Sequence, residues 1–432
     1  MAISKSFPHR LHDRHLPLLD ALAPQVAASS PSKSFPMQTG AFLAAVRTFR
    51  EFGTETQELA EGGIPYLVNE FWTPAQRQGH SIQEVSYRAC FKPQLPAFFI
   101  ERLTAAEDGV LDPFMGRGTT PLQAALMGRR PFGNDINPLS TLLARPRLAP
   151  PSLAAIAKRL EDVPWDRTVE IRDDLLAFYH PETLRQICVL REWLLQVAPL
   201  NQACPDPTAD WIRMVAISRL TGHSPGFFSV YSMPPNQAVS AAEQLRINAK
   251  RDQVPPPRNV MELILRKSHE LLKDGLPPPH PSAVLSTGLA ASMAHIQDGS
   301  VALVVTLPPF LDVVQYAQDN WLRCWFAGVD LKTVEIAMHR VEAAWEGMVR
   351  TTLSELARIV RQGGHVAFEV GEVRKGKVLL ERAVWRAAEG LPFDRLAVIV
   401  NQQEFTKTAN CWGVNNNTKG TNTNRIVLLC RQ

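Results

Sequence analysis

The chain has 432 residues, with 46 Lys and Arg against 42 Asp and Glu, a net charge of +4. Apolar residues at 45% and charged residues at 20% exclude wholesale disorder, and the length suits two or three domains of roughly 100–200 residues each. No run of about 18 apolar residues occurs, and the six scattered cysteines (Cys90, Cys188, Cys204, Cys324, Cys411, Cys430) form no CxxC pair, which argues against a membrane span, a disulfide framework or structural zinc and for reduced thiols in a cytoplasmic protein.

Residues 1–60 read as an N-terminal tail followed by a helix over GAFLAAVRTFREFG. Asp20 interrupts the apolar stretch LPLLDALAPQVAASS, so no targeting segment is predicted. His9, His12 and His15 stand beside Arg10 and Arg14, which repel cations, and no metal site is predicted.

Residues 61–150 carry the first ordered unit. LPAFFIERL has the pattern of a buried helix, GVLDPF of a short strand, TTPLQAALMG of a helix and RPFGNDIN of a second strand. That βαβ unit opens a doubly wound, Rossmann-like α/β sheet. Residues 151–280 turn helical: Leu184, Ile187, Leu190, Leu194 and Leu195 recur at helical spacing, and DWIRMVAISRL and VMELILRKSHELL behave similarly. Residues 281–432 return to strand patterns in SAVLST, VALVVT, GGHVAFEVGEV, RLAVIVNQ and RIVLLC. The expected architecture is a sheet domain interrupted by a mainly helical insertion.

Asp112-Pro113-Phe114-Met115-Gly116-Arg117-Gly118-Thr119-Thr120 spans the junction of predicted strand and helix. Its glycines permit a tight turn, and a helix N-terminus presents unpaired N–H groups to a ligand. Pro121 occupies the third position of a GxGxxG pattern and disfavours a plain dinucleotide fingerprint. Asp135, at the end of the next predicted strand, is placed to accept hydrogen bonds from ribose hydroxyls.

DPFMGRGTTPLQAALMGRRPFGNDINPL resembles the S-adenosylmethionine-binding motifs of the amino-group DNA methyltransferases, which modify exocyclic amines of cytosine or adenine. The resemblance covers roughly 92–138 and 283–316. It implies S-adenosyl-L-methionine as cofactor, with Lys92 at the helix closing the methionine end and Asp112, Pro113, Phe114, Gly116, Gly118, Thr119 and Thr120 in its cradle. Asp135 would hold the ribose, and Leu289, where the family usually carries an acid, would pack on the adenine.

Thr306-Leu307-Pro308-Pro309-Phe310 resembles the family's catalytic tetrapeptide, a polar residue followed by Pro-Pro and an aromatic. An exocyclic amine is a poor nucleophile because its lone pair is delocalised. A polar side chain and the first proline's carbonyl accept its N–H bonds, and the aromatic stacks the flipped base. Here Leu307 replaces the polar acceptor. Thr306, one residue earlier on a strand, points to the other face, and Asp312 is a further candidate acceptor.

The implied activity is methylation of an exocyclic amine in double-stranded DNA, cytosine N4 preferred to adenine N6 because the Thr-x-Pro-Pro-Phe context is closer to Ser-Pro-Pro forms. An RNA amine methyltransferase and a catalytically impaired nucleic-acid-binding homologue are the alternatives. The resemblance also admits a restriction endonuclease partner; oligomeric state is left open. For the substrate surface, NEFWTPAQRQGHS offers Trp72, Gln76, Arg77, Gln78 and His80, and the helical insertion offers Arg219, His223, Phe227, Phe228, Tyr231, Asn236 and Gln237. The alternative is that these aromatics close a core. A polar loop over 410–424 adds Trp412, Lys419 and, at its flanks, Lys407 and Arg425, while Glu369, Glu372 and Arg374 read as sheet-edge and loop charges.

Overall fold

The computed structural model describes residues 36–72, 79–87, 90–200, 206–232, 238–278, 282–309, 311, 316–334, 339–373, 378–402 and 423–432. The predicted tail with its histidines lies outside them. Helix α1 (Thr39–Arg47), the hairpin β1 (Gln57–Glu61) and β2 (Ile64–Asn69), and α2 (Gln94–Leu103) come first. The expected βαβ unit follows as β3 (Gly109–Asp112), α3 (Thr119–Leu126) and β4 (Arg130–Asp135), extended by α4 (Pro138–Leu148). The helical stretch holds α5 (Leu153–Glu161), α6 (Pro181–Val197), α7 (Pro207–Arg219), α8 (Ala241–Arg251) and α9 (Val260–Leu272). Then come β5 (Val284–Thr287), β6 (Val301–Thr306), α10 (Tyr316–Ala327), α11 (Glu342–Ile359), β7 (Val360–Val370), the short pair β8 (Glu372–Val373) and β9 (Val378–Leu379), α12 (Leu380–Ala387), β10 (Phe393–Gln402) and β11 (Thr423–Arg431).

Nine strands form one sheet in the order β1-β2-β10-β11-β7-β6-β3-β4-β5. Its run from β5 to β7 is parallel, and β11 inserts antiparallel between β7 and β10. The chain winds outward from β3 through β4 to β5, then crosses to β6 on the other side of β3. The winding therefore reverses between β3 and β6, where an open α/β sheet leaves a crevice at the carboxyl ends of its strands.

Strand alternation splits the core into two layers. Ile426 and Leu428 of β11 and Ala397 and Ile399 of β10 join Phe42 and Val46 of α1 and Phe98 and Phe99 of α2 on one face. Val427, Leu429, Val398 and Val400 pack on the other, against Trp345, Val349 and Leu353 of α11 and Leu380 and Val384 of α12. Each such fully buried side chain contributes about 1.5–3 kcal/mol.

Local chemistry explains the helix starts in the insertion. Asp206 accepts from the N–H groups of Thr208 and Ala209 (3.0 and 2.9 Å), ahead of Pro207 in the first turn of α7. Ser152, Ser240 and Asn259 cap α5, α8 and α9. The expected amphipathic pattern of α7 gives way to burial on every side from Ala209 to Arg219, because α4, α5, α6, α9 and α10 surround it. Leu139 and Leu143 of α4 and Leu322 and Phe326 of α10 share this core, so the helical region packs onto α4 and α10. No helix among the described residues is long and apolar enough to cross a membrane.

Candidate active site

Two strand ends meet where the winding reverses. Asp112 closes β3 and Thr306 closes β6, both buried, and Thr306 Oγ1 donates to Asp112 Oδ1 at 2.6 Å. Thr120, at the start of α3, donates to the Val305 carbonyl at 2.9 Å. These bonds lock the exit of β6 beside the glycine loop.

The loop's shape follows from its glycines. Gly116 and Gly118 have φ of +50° and +81°, the left-handed region that side chains other than glycine avoid. A Cβ on Gly118 would stand 2.6 Å from the Ala144 Cβ, so glycine also permits the close approach of α4. Carboxylates draw the backbone inward: the N–H of Phe114 donates to Asp112 Oδ1 (3.0 Å), and those of Gly116 and Asn137 to the two oxygens of Asp135 (2.8 Å each).

Two arginines that sequence reasoning passed over brace the loop. Arg117 donates to the carbonyls of Val85 (2.8 Å) and Phe91 (3.3 Å), tying the loop to the segment that presents exposed Lys92 ahead of α2. Fully buried Arg147 donates to the carbonyls of Ile82 and Arg117; burial, with the Arg117 charge, lowers its pKa to about 9. Arg117 sits inside the glycine motif without an assigned role, and Arg147 lies outside it. Tyr87, also missed, lays its ring within 3.5 Å of where a Gly116 side chain would begin.

Three carboxyls cluster at this end of the sheet. Burial raises Asp112 to about 7 against the hydrogen bonds from Thr306 and Phe114, with the Asp135 charge adding to the rise. Asp135 is itself raised by burial. Glu369, expected as a sheet-edge charge, instead lies on β7 between β6 and β11, is 4% exposed, and is pushed by burial and by Asp112 to about 8. A single carboxylate inside the buried strand HVAFEV was the signal that could have found it.

Beyond Thr306, Leu307 packs against the layer of α1 and α2, and Pro308 is buried. Trp345, 1% exposed, donates its Nε1–H to the Pro309 carbonyl at 2.8 Å. That bond engages the second proline's carbonyl and not the first's. The Thr306 hydroxyl gives its proton to Asp112, which leaves its oxygen free only to accept. Phe310 and Asp312 lie outside the described residues. Leu289, 59% exposed, follows Gly288, whose N–H donates to the Asp135 carbonyl at 2.9 Å.

The nucleic-acid candidates fare unevenly. Phe227 and Phe228 are buried, and Arg219 is 9% exposed with its guanidinium 4.1 Å from the Phe227 ring, so these three build the insertion's core rather than a base-reading surface. Trp72 is buried likewise. Arg425 pairs with the fully buried Glu381 at 3.0 Å and is not turned to phosphates. His80, His223 and Tyr231 are partly exposed; His80 accepts from the Ile82 N–H at 3.3 Å, and Arg251 lies 3.7 Å over the Tyr231 ring. Gln76, Arg77, Gln78, Asn236, Gln237, Lys407, Trp412 and Lys419 lie outside the described residues.

Residues 54–142, which contain this loop, match the profile of the DNA methylase family. That segment is similar to the amino-group DNA methyltransferases. S-adenosylmethionine is the cofactor of that family, and buried Asp112 and Glu369 with partly exposed Asp135 fit a ligand that carries positive charge. Type II methyltransferase M.MjaII of Methanocaldococcus jannaschii is 38% identical over 89 residues, 21% of this chain and 17% of that one. Type II methyltransferase M.MvaI of Kocuria varians is 30% identical over 82 residues, 18% of each chain. The methyltransferase match thus spans under a fifth of either curated relative. Among solved structures, TrmN from Thermus thermophilus aligns over 80% of this chain and 50% of its own at 11% identity and a TM-score of 0.32. The rRNA methyltransferase aviRa from Streptomyces viridochromogenes aligns over 84% and 96% at 12% identity and a TM-score of 0.32.

Proposed function

We propose that the protein transfers a methyl group from S-adenosylmethionine to an exocyclic amine of a flipped base in double-stranded DNA, cytosine N4 in preference to adenine N6. The observation that carries this reading is the Thr306–Asp112 hydrogen bond, which fixes the Leu307-Pro308-Pro309 exit beside the cofactor loop. The cofactor, when bound, supplies an electrophilic methyl group on a positively charged sulfur.

The chain's own residues do the rest. Gly116 and Gly118 keep the cradle open to the ligand, Asp135 at the end of β4 is placed for ribose hydroxyls, and exposed Leu289 offers an apolar face to the adenine. Pro308 presents its carbonyl to one amine N–H, and Trp345 holds the turn that aims it. The helical region over 151–280 is the proposed target-recognition domain, with exposed Lys250 and Arg251 of α8 available to phosphates. A restriction endonuclease partner belongs to the same reading.

Mass spectrometry of nucleosides after incubation with labelled cofactor and either duplex DNA or RNA tests the proposal. N4-methylcytosine in DNA is the expected product. Methylation of RNA alone makes the protein an RNA enzyme, and cofactor binding without methylation of either polymer refutes the catalytic reading.

A further inference from the structure

The tetrapeptide has lost its polar side chain at Leu307, yet the neighbouring strand carries one at the same level. Phe368 of β7 pairs with Thr306 of β6, so the next residue, Glu369, stands abreast of Leu307. Alternation puts Glu369 on the face of Ala367, which is also the face against which Leu307 packs. Asn424 of β11 donates to Glu369 Oε1, while Oε2 is buried with no hydrogen-bond partner among the described residues. A buried carboxyl oxygen left unpaired is destabilising. Asp112 is the more engaged carboxyl, since Thr306 Oγ1 and the Phe114 N–H both donate to its Oδ1.

We propose that Glu369 is the catalytic acceptor that replaces the side chain lost at Leu307: its Oε2 accepts an N–H of the target amine and takes the proton released on methylation. This inference rests on the methyl-transfer reading. The amine nitrogen forms a bond to the methyl carbon as that carbon's bond to sulfur breaks, with the electron pair leaving to sulfur. The nitrogen then carries one proton too many, and Glu369 removes it and later passes it to solvent. The acid must be ionised to serve. Burial, with the Asp112 charge, pushes its pKa up to about 8, and the positive charge of the cofactor favours the ionised form. Among the described residues its titratable neighbour is Asp112 on β3, itself beside Asp135 on β4; β11 contributes neutral Asn424 and the β6 exit apolar Leu307.

The test is Glu369→Gln, which keeps the carbonyl that accepts from Asn424. Turnover should fall by about 100-fold or more, while affinity for S-adenosylmethionine by calorimetry stays within about threefold. The acid limb of the wild-type rate profile, set by the ionisation of Glu369, should vanish in the variant. Leu307→Ser, added to Glu369→Gln, should recover at least about tenfold of the lost rate by restoring an acceptor on β6. Wild-type turnover by Glu369→Gln, or a folded, cofactor-binding double variant with no recovery, overturns the proposal while leaving methyl transfer intact. A wild-type protein that methylates neither DNA nor RNA removes the methyl-transfer reading and this inference together.

Discussion

Thr306 Oγ1 and Asp112 Oδ1, 194 residues apart in sequence, meet at 2.6 Å between the ends of β6 and β3. The bond joins the two halves of the proposed chemistry, since Asp112 opens the cofactor loop and Thr306 precedes the two prolines. Thr306→Val keeps the shape of the side chain and removes the donor. It should cost about 1–3 kcal/mol in denaturant unfolding, and cofactor affinity should fall by about tenfold as the loop loses its registration. Unchanged affinity in a destabilised variant would reduce the bond to a structural one.

The buried acids make stability depend on pH. Asp112 and Glu369 sit near 7 and 8 in the folded chain, above their ordinary values of 3.8 and 4.5. Between about pH 4 and pH 8 the folded state therefore binds more protons than the unfolded one, and unliganded stability is lost as pH rises through that window. Asp112→Asn removes one of these charges while its side-chain oxygen still accepts from Thr306 and Phe114. It should raise the melting temperature at pH 8 by several degrees, change it little at pH 5, and weaken S-adenosylmethionine by about tenfold or more at pH 8. A melting temperature at pH 8 equal to or below the wild type's would show that the charge is not destabilising there.

Cofactor binding to the wild type should in turn release protons near pH 7, because a positive ligand favours ionised acids. Calorimetry in two buffers of different ionisation enthalpy measures the number released. The expected value is clearly above zero and is reduced in Asp112→Asn; none released in the wild type contradicts the coupling.

Gly118 and Gly128 separate backbone strain from crowding. Both have positive φ, +81° and +73°, but a Cβ at Gly118 meets Ala144 at 2.6 Å, whereas nothing lies within 4 Å at Gly128. Gly128→Ala should cost about 1–2 kcal/mol and leave cofactor binding alone. Gly118→Ala should cost more than that and abolish binding. Equal losses in both variants would show that α4 yields without disturbing the loop.

Local pattern made the βαβ unit legible because each of its elements is written in consecutive residues: apolar runs, glycines at the turn and acids at strand ends. The same reasoning identified β5, β6, β7, β10 and β11, but it passed over β1 and β2, whose exposed QELAE strand shows no buried alternation. Arg219, Phe227 and Phe228 have the composition of a nucleic-acid surface, yet burial assigns them to the core, and composition does not encode which way a side chain faces. Glu369 went unrecognised for the converse reason. Its neighbours in sequence announce a strand, while its significance comes from Leu307 and Asp112 on other strands.

Trp345 extends that point to the aim of the proposed catalytic turn. It sits on α11, 36 residues from Pro309, and its indole N–H reaches the Pro309 carbonyl at 2.8 Å from a side chain 1% exposed. Trp345→Phe retains much of the apolar bulk and removes the donor. The unpaired carbonyl and lost ring volume should destabilise the protein by about 1–3 kcal/mol. If the bond aims Pro308 at the target amine, kcat should fall by about tenfold with the KM for S-adenosylmethionine nearly unchanged, since the cofactor loop lies on other elements. Equal losses in cofactor affinity and turnover would instead mean that the tryptophan supports the pocket as a whole. A variant that melts earlier but turns over at the wild-type rate would show that the prolines alone hold the turn.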